Sequence, residues 1–174
     1  GHAAENFIRL AFEDNKHINA LLKNPKDVPK AVELLQTENV ELKKRIESLE
    51  ARQLVAIRNE LLQKDEIINQ VTFIGDIVEV PHADALKKLC FDLKNHLHNY
   101  LVVLCANIGG KAHVAIGISD TVVAAKNLDA GKIIKETVSP LIQGGGGGQK
   151  NLATAGGQDA SQLNNIIAKI KAIL

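Results

Sequence analysis

A run of five consecutive glycines, Gly144–Gly148, restricts the folding of this chain more than any other feature of its sequence. Glycine has the most backbone freedom to lose, so ordering such a run costs conformational entropy. A bare pentaglycine is typical of a flexible linker. Here a short stretch over residues 152–155 and a second pair, Gly156 and Gly157, follow at once, and a folded pattern resumes directly. We therefore predict an ordered loop with a specific role.

Such a loop can bind an anion, because backbone N–H groups without neighbouring Cβ atoms can converge on phosphate oxygens. Polar side chains close by would add a charge and further donors. The run does not end in Gly-Lys-Ser/Thr, so it is not the phosphate loop of a nucleotide-binding protein. The predicted phosphate-binding residues are Gly144, Gly145, Gly146, Gly147, Gly148, Lys150, Asn151, Thr154, Gly156 and Gly157.

The sequence after residue 70 alternates between strand-like and helix-like patterns. Tyr100–Ile108 is a continuous apolar run, which is typical of a strand covered on both faces, and Gly109 with Gly110 predicts a two-residue hairpin turn after it. Further strands are predicted over residues 71–80, 111–119 and 152–155, and helices over residues 83–98, 130–142 and 161–174. This order predicts an α/β domain over residues 71–174, a small mixed sheet with helices packed on it.

The sequence before residue 71 predicts a helical arm, residues 3–70. A first helix over residues 3–23 ends at Asn24 and Pro25, because proline cannot continue a helix and biases its predecessor away from the helical region. Asp27 then caps a second helix, with Pro29 in its first turn, and this helix is predicted over residues 27–70. At about 1.5 Å per residue it would be roughly 65 Å long.

An apolar heptad seam runs along the second helix and predicts a coiled coil or helical hairpin. Its residues are Val32, Leu35, Asn39, Leu42, Ile46, Leu49, Gln53 and Ala56. The polar residues among them weaken a coiled coil but help to fix its register. The shorter first helix, folded back, could cover this seam to about residue 49. A later stripe then needs another partner, either the C-terminal domain or a second chain; it comprises Leu54, Ile57, Leu61 and Ile68.

The composition limits the kinds of function open to the chain. The net charge is +1, and aromatic residues make up 3% with no Trp and one Tyr. These values argue against a strongly basic non-specific nucleic-acid binder, and against a module that reads single strands by stacking many bases on aromatic rings. No apolar run approaches the roughly 20 residues of a membrane span, so we expect no membrane association. Any nucleic-acid contact must come from a local patch.

Cys90 and Cys105 lie in apolar surroundings, which predicts buried thiols in a reducing compartment and hence a cytoplasmic protein. His96 and His98 are two residues apart and do not share a helix face, and the chain has no Cys-x-x-Cys or His-x-x-x-His motif. No Ser/His/Asp arrangement is recognisable either. We therefore predict no catalytic residue, no metal site and no cofactor in this chain.

The charges divide unevenly along the chain. All four arginines lie before residue 72, whereas residues 72–174 carry ten lysines and eight acidic residues. Lysine suits diffuse contact with phosphates more than bidentate reading of bases. We predict peripheral phosphate contacts, with a solvated face as the alternative, from Lys87, Lys88, Lys132 and Lys135.

Several segments together resemble a known family. They are the pentaglycine followed after three residues by Leu-Ala-Thr-Ala-Gly-Gly, the strand pair on either side of Gly109 and Gly110, and the helix start Ala-Gly-Lys-Ile-Ile-Lys at residues 130–135. With the Leu-Leu-Lys at residues 21–23 and the prolines that follow, this pattern resembles the C-terminal domain of alanyl-tRNA synthetases. The same domain type accompanies the DHH-family phosphoesterases. Gln149, Lys150 and Asn151 stand where many members have Arg-Pro-Asp, so only Lys150 retains a charge.

The resemblance implies a non-catalytic fragment of an alanine–tRNA ligase. It implies a domain that contacts the tRNA elbow and links aminoacylation with editing, in a parent enzyme that uses ATP, magnesium and zinc elsewhere. The chain begins Gly-His without Met, which also indicates a piece of a longer protein. The expected partners are alanine-specific tRNA, the rest of the synthetase and a second copy of the arm. Two alternatives stay open: an oligomerisation arm with a passenger domain, and the nucleic-acid-binding lobe of a phosphoesterase, which the arm disfavours.

Overall fold

A computed structural model describes all residues, 1–174. The chain divides into two compact units, residues 1–49 and residues 50–174. Its helices are α1 (His2–Leu21), α2 (Val28–Leu62), α3 (Ala83–Lys94), α4 (Asp120–Lys126), α5 (Ala130–Ile133), α6 (Ser139–Ile142) and α7 (Leu163–Lys171), with a π-helical turn, Ile134–Val138, between α5 and α6. Its strands are β1 (Glu66–Ile68), β2 (Val71–Ile77), β3 (Tyr100–Ile108), β4 (Lys111–Ile118), β5 (Gly144–Gly148) and β6 (Leu152–Gly157).

The first unit consists of α1 and the part of α2 up to Leu49. Lys23 and Asn24 adopt positive φ angles before Pro25, and the side chain of Asp27 accepts a hydrogen bond from the Lys30 amide at 3.0 Å, as a helix cap does. No residue of α1 is buried. The apolar seam residues of α2 from Val32 to Leu49 are also exposed, so the expected covering of the seam by α1 is absent from the single chain.

The second long helix is shorter than the sequence predicted. It ends at Leu62 rather than at residue 70, because residues 66–68 pair with β2 in an antiparallel hairpin in which Ile68 lies opposite Val71. Asn69 and Gln70 form the turn with φ angles of 47° and 70°. Ile68 therefore belongs to a strand and not to the apolar stripe of the helix. Neither long helix contains an apolar segment of the length and hydropathy that a membrane crossing requires.

The second unit is built on a six-stranded sheet in the order β1-β2-β3-β4-β6-β5. Strands β2 and β3 run parallel with α3 between them in sequence, and every other neighbouring pair is antiparallel. Gly109 and Gly110, with φ angles of 59° and 84°, make the predicted hairpin turn between β3 and β4. The α/β class with a mixed sheet and packed helices is thus confirmed.

Two hydrophobic cores cover the two faces of the sheet. Alternate residues of β3 enter different cores: Leu101, Val103 and Cys105 pack with α4–α7, whereas Val102 and Leu104 pack with α3 and the end of α2. This arrangement accounts for the unbroken apolar run in β3, since a strand buried on both faces has no polar side. The later stripe of α2 docks here, with Leu61 buried and Leu54 and Ile57 packed beside it.

Candidate nucleic-acid interface

The pentaglycine is a β-strand and not the predicted loop. Strand β5 lies at the edge of the sheet and pairs only with β6, from Gly144 opposite Gly157 to Gly148 opposite Ala153. Gln143 before it adopts a φ angle of 51°, which reverses the chain at the end of α6. An edge strand of glycines presents its main chain to solvent without side chains to cover it.

Three of the five glycines are required by packing. A Cβ on Gly144, Gly146 or Gly148 would collide with carbonyl oxygens of β6, and one on Gly157 would collide with the carbonyl of Ile142. Strands β5 and β6 therefore approach more closely than side chains at these positions would allow. At these positions glycine is required because any side chain would collide with the neighbouring main chain.

The other two glycines of β5 face open space. A Cβ on Gly145 would meet no atom within 4 Å, and one on Gly147 would meet only Cε of Lys135, at 3.8 Å. Neither residue has a positive φ angle. Since neither packing nor backbone conformation demands glycine here, the absence of these side chains leaves main chain accessible beside a lysine.

A cleft of about 340 Å³, the β5 cleft, brings several predicted residues together. It is bounded by β5, the end of β6 and the first turns of α3, and its lining includes Gly145, Gly147, Thr154 and Lys87. His113 of β4 also lines the cleft, and its ring would lie 3.5 Å from a Cβ on Gly156. The sequence did not single out His113 as part of this site, because only the pairing of β4 with β6 places it beside Gly156.

The remaining predicted residues lie around this cleft or away from it. Lys150 is exposed in the turn between β5 and β6, where its carbonyl accepts a hydrogen bond from the Ala130 amide at 2.9 Å. The side-chain amide of Asn151 is engaged by Asp120 at 3.3 Å. Lys88 lines a separate groove on α3. The ammonium group of Lys132 lies 3.9 Å from Glu136 on an exposed surface.

The two cysteine side chains of this unit are buried in its core. Burial raises the pKa of Cys90 and of Cys105 to about 12, so neither thiol ionises near neutral pH. No group of three or more His, Cys, Asp or Glu residues lies close enough together to hold a metal ion. The β5 cleft presents main-chain groups of β5 together with the side chains of Thr154, His113, Lys87 and Asp84.

A mixed sheet with a glycine edge strand and packed helices, preceded by long helices, can be compared with known domain families. The chain belongs to the DHHA1 domain family, whose pattern residues 70–174 match. The family resemblance stated from the sequence is thereby confirmed.

Individual relatives are alanine–tRNA ligases. The chain is 38% identical over 172 residues to the "Alanine--tRNA ligase" of Cytophaga hutchinsonii, which covers 99% of this chain and 20% of that protein. It is 34% identical over 174 residues to that of Christiangramia forsetii, again 20% of the relative. The chain thus spans about a fifth of the length of these curated relatives. Among solved structures, the C-Ala domain from Aquifex aeolicus alanyl-tRNA synthetase is similar with a TM-score of 0.57 at 26% identity, covering 64% of this chain and 97% of that one.

Proposed function

We propose that this chain is the tRNA-binding, non-catalytic C-terminal part of an alanine–tRNA ligase. Its similarity to alanine–tRNA ligases over almost its whole length supports the parent enzyme. The observation that carries the binding role is the division of β5 into two sets of glycines. Packing accounts for Gly144, Gly146 and Gly148, but it leaves Gly145 and Gly147 unexplained unless something approaches the strand from outside.

A phosphate backbone is the ligand that suits this edge. Main-chain N–H groups without adjacent side chains can donate hydrogen bonds to a phosphate oxygen at close range. Lys87 on one border of the β5 cleft and Lys135 beside Gly147 supply positive charge on either side. Folded RNA is recognised largely by shape and backbone contacts, which an uncovered strand with flanking lysines provides. Lys150, exposed in the adjoining turn, would add a third charge.

Within the parent enzyme, the domain would hold the elbow of alanine-specific tRNA and so link aminoacylation with editing. This finer role rests on the family resemblance. By the same resemblance, ATP, magnesium and zinc would act in other parts of the parent enzyme. The buried reduced thiols suit a cytoplasmic protein.

The test is a titration of the purified chain with labelled alanine tRNA transcript, at several salt concentrations. A duplex RNA hairpin of the acceptor stem alone and a double-stranded DNA of equal length are the comparison ligands. We expect the tRNA to bind more tightly than both, with an affinity that falls as salt increases. Equal affinity for all three nucleic acids would show that the site binds them without specificity. The absence of binding at tRNA concentrations up to about 100 μM would contradict the proposal.

The exposed seam of α2 favours a second role, self-association through the arm. Leu35, Leu42, Ile46 and Leu49 are more than half exposed, and a seam of this length rarely stays in water. Pairing of two arms as a coiled coil would bury it. Light scattering from 5 to 500 μM should then show a mass that rises towards the dimer, and the double change Leu42→Glu with Leu49→Glu should abolish the rise. A monomeric mass throughout would exclude this role.

A further inference from the structure

A second pocket, the α3 pocket, lies at the opposite end of α3 from the β5 cleft. It has a volume of about 400 Å³, within the range of pockets that bind small molecules or cofactors. Its walls come from the last turns of α3, the start of β3, the end of β4, the start of α4 and the start of β6. None of the residues predicted from the sequence to contact phosphate lines it, apart from Asn151.

The interior of the α3 pocket is largely apolar, and Gly117 contributes no side chain to it. Cys90, Leu97 and Leu152 line it, together with the ring of Tyr100. A Cβ on Gly117 would stand 3.7 Å from the Cβ of Cys90 and 3.8 Å from Cε2 of Tyr100, at ordinary contact distance. Any larger side chain at this position would therefore project into the space that a ligand needs.

Several polar side chains at the rim of the pocket are already hydrogen-bonded within the chain. Ser119 Oγ accepts hydrogen bonds from the amides of Tyr100 and Val122 at 3.0 and 3.4 Å. Thr121 Oγ1 donates to Asn99 Oδ1 at 3.0 Å. Asn151 in turn donates a hydrogen bond to Asp120, so each of these side chains already has a partner within the chain.

The hydroxyl group of Tyr100 is not engaged in this way. Tyr100 is only 5% exposed and lines the pocket, yet no hydrogen bond within the chain engages its hydroxyl. Burial, with the nearby Cys90 and Asp120, raises the pKa of this phenol, so the hydroxyl keeps its proton and can donate. The hydroxyl is not among the buried polar atoms that lack a partner, so it is reached by solvent and is free to donate to a molecule that enters the pocket.

The exposed ring of Phe91 lines one side of the pocket. Phe91 is 62% exposed although α3 is otherwise packed through its apolar residues, and the ammonium group of Lys94 lies 5.9 Å from the centre of its ring. An exposed phenylalanine beside a lysine offers a face for stacking and a charge for a neighbouring phosphate.

We propose that the α3 pocket binds one unstacked nucleobase of an RNA strand, whose backbone continues along α3 towards the β5 cleft. The base stacks on Phe91, its edge accepts a hydrogen bond from Tyr100, and the phosphate beside it lies near Lys94. Bases that are unstacked from loops are the usual targets of sequence-specific RNA recognition, and a single aromatic face suffices for one base. The proposal rests on the tRNA-binding function above for the source of the base, while a free nucleotide would present the same chemistry.

The only tyrosine of the chain is Tyr100, and there is no tryptophan, so the intrinsic fluorescence of the protein reports on this pocket alone. Alanine tRNA transcript and the mononucleotides AMP, GMP, CMP and UMP are the probes. We expect tRNA to quench the fluorescence, and Phe91→Ala to weaken tRNA binding about tenfold without changing its salt dependence. Tyr100→Phe should weaken binding about threefold. Phe7→Ala, which removes a ring that is 74% exposed in the first unit, is the matched control and should bind as the unchanged chain does.

The outcomes separate this proposal from the proposed function. If tRNA binds but Phe91→Ala and Tyr100→Phe bind it with unaltered affinity, the pocket does not hold a base and the tRNA-binding role stands. If tRNA does not bind at all, the tRNA-binding role fails. The titrations with mononucleotides then show whether the α3 pocket binds a free nucleotide. Quenching by a mononucleotide that disappears in Phe91→Ala would support a site for a free nucleotide. The absence of quenching by every probe would overturn the pocket proposal.

Discussion

A Cβ on Gly146 would collide with the main-chain carbonyl of Thr154, whereas a Cβ on the adjacent Gly145 would have no atom within 4 Å. Packing therefore requires glycine at position 146 but not at position 145. This alternation allows folding and binding to be tested separately by single substitutions.

The first prediction uses this pair of positions. Gly146→Ala should lower the free energy of unfolding by roughly 1–3 kcal/mol, because the strands must separate to admit the methyl group. Gly145→Ala should leave stability unchanged or raise it by up to about 1 kcal/mol, since it restricts only the unfolded chain. Gly145→Val should nevertheless weaken binding of alanine tRNA at least tenfold, about 1.4 kcal/mol. Urea denaturation and tRNA titration of each variant measure the two effects, and a Gly145→Val chain that binds normally would contradict the proposed approach of phosphate to β5.

The second prediction concerns the lysine beside the strand. Lys135→Ala should weaken tRNA binding and lower the slope of log K against log salt by roughly one unit at most, because one phosphate contact and its released counterion are lost. Lys126→Ala, in a lysine of α4 that lines neither the β5 cleft nor the α3 pocket, is the control of equal charge. Equal effects from the two changes would mean that net charge, and not position, governs binding.

The third prediction concerns the end of α2. Leu61 is 1% exposed in the core beside α3, so Leu61→Ala should cost roughly 2–5 kcal/mol of stability. Leu42→Ala, at a seam position that is 58% exposed, should change the stability of the second unit by less than about 0.5 kcal/mol. Thermal denaturation followed by the fluorescence of Tyr100 distinguishes the two, and similar losses at both positions would show that the exposed seam is itself buried in solution.

The fourth prediction concerns the buried thiols. Burial raises the pKa of Cys90 and Cys105 from 9.0 to about 12, so between these values the unfolded chain loses protons that the folded chain keeps. The stability that the neutral thiols contribute is complete below about pH 9 and is lost as the pH rises towards about 12, by about 1.4 kcal/mol per pH unit for each thiol.

The measurement is the urea midpoint from pH 8 to pH 10.5, for the unchanged chain and for the double variant Cys90→Ala with Cys105→Ala. The double variant should be less stable at pH 8 but should lose less stability as the pH rises. A thiol reagent at pH 8 should modify both cysteines only after denaturant is added. Rapid modification of the folded chain would show that the thiols are accessible.

Much of the second unit was predictable because its signals are local. The apolar run of β3, the paired glycines at positive φ angles and the β4 strand each follow from a few neighbouring residues. Asp27 marked the start of α2 by its short side chain alone. The glycine-rich segment and its lysines were also identified as the candidate site from the sequence, and their binding role stays a prediction.

Other features depended on partners that are distant in sequence. The helical pattern continues past Leu62, but pairing of residues 66–68 with β2 outweighs it, since the strand hydrogen bonds exceed the small helix preference of three residues. The α3 pocket exists because α3, β4 and β6 converge around Gly117, which no local pattern indicates.

The sequence by itself determined that residues 144–148 would lack side chains and that their ordering would need a reason. Only the tertiary structure decided which glycines the fold requires. The register of β5 on β6 places the β6 carbonyls against Gly144, Gly146 and Gly148 and leaves Gly145 and Gly147 open. That register is set by the packing of the intervening turn and the whole sheet, so five identical residues acquire two different environments through contacts that their own sequence does not specify.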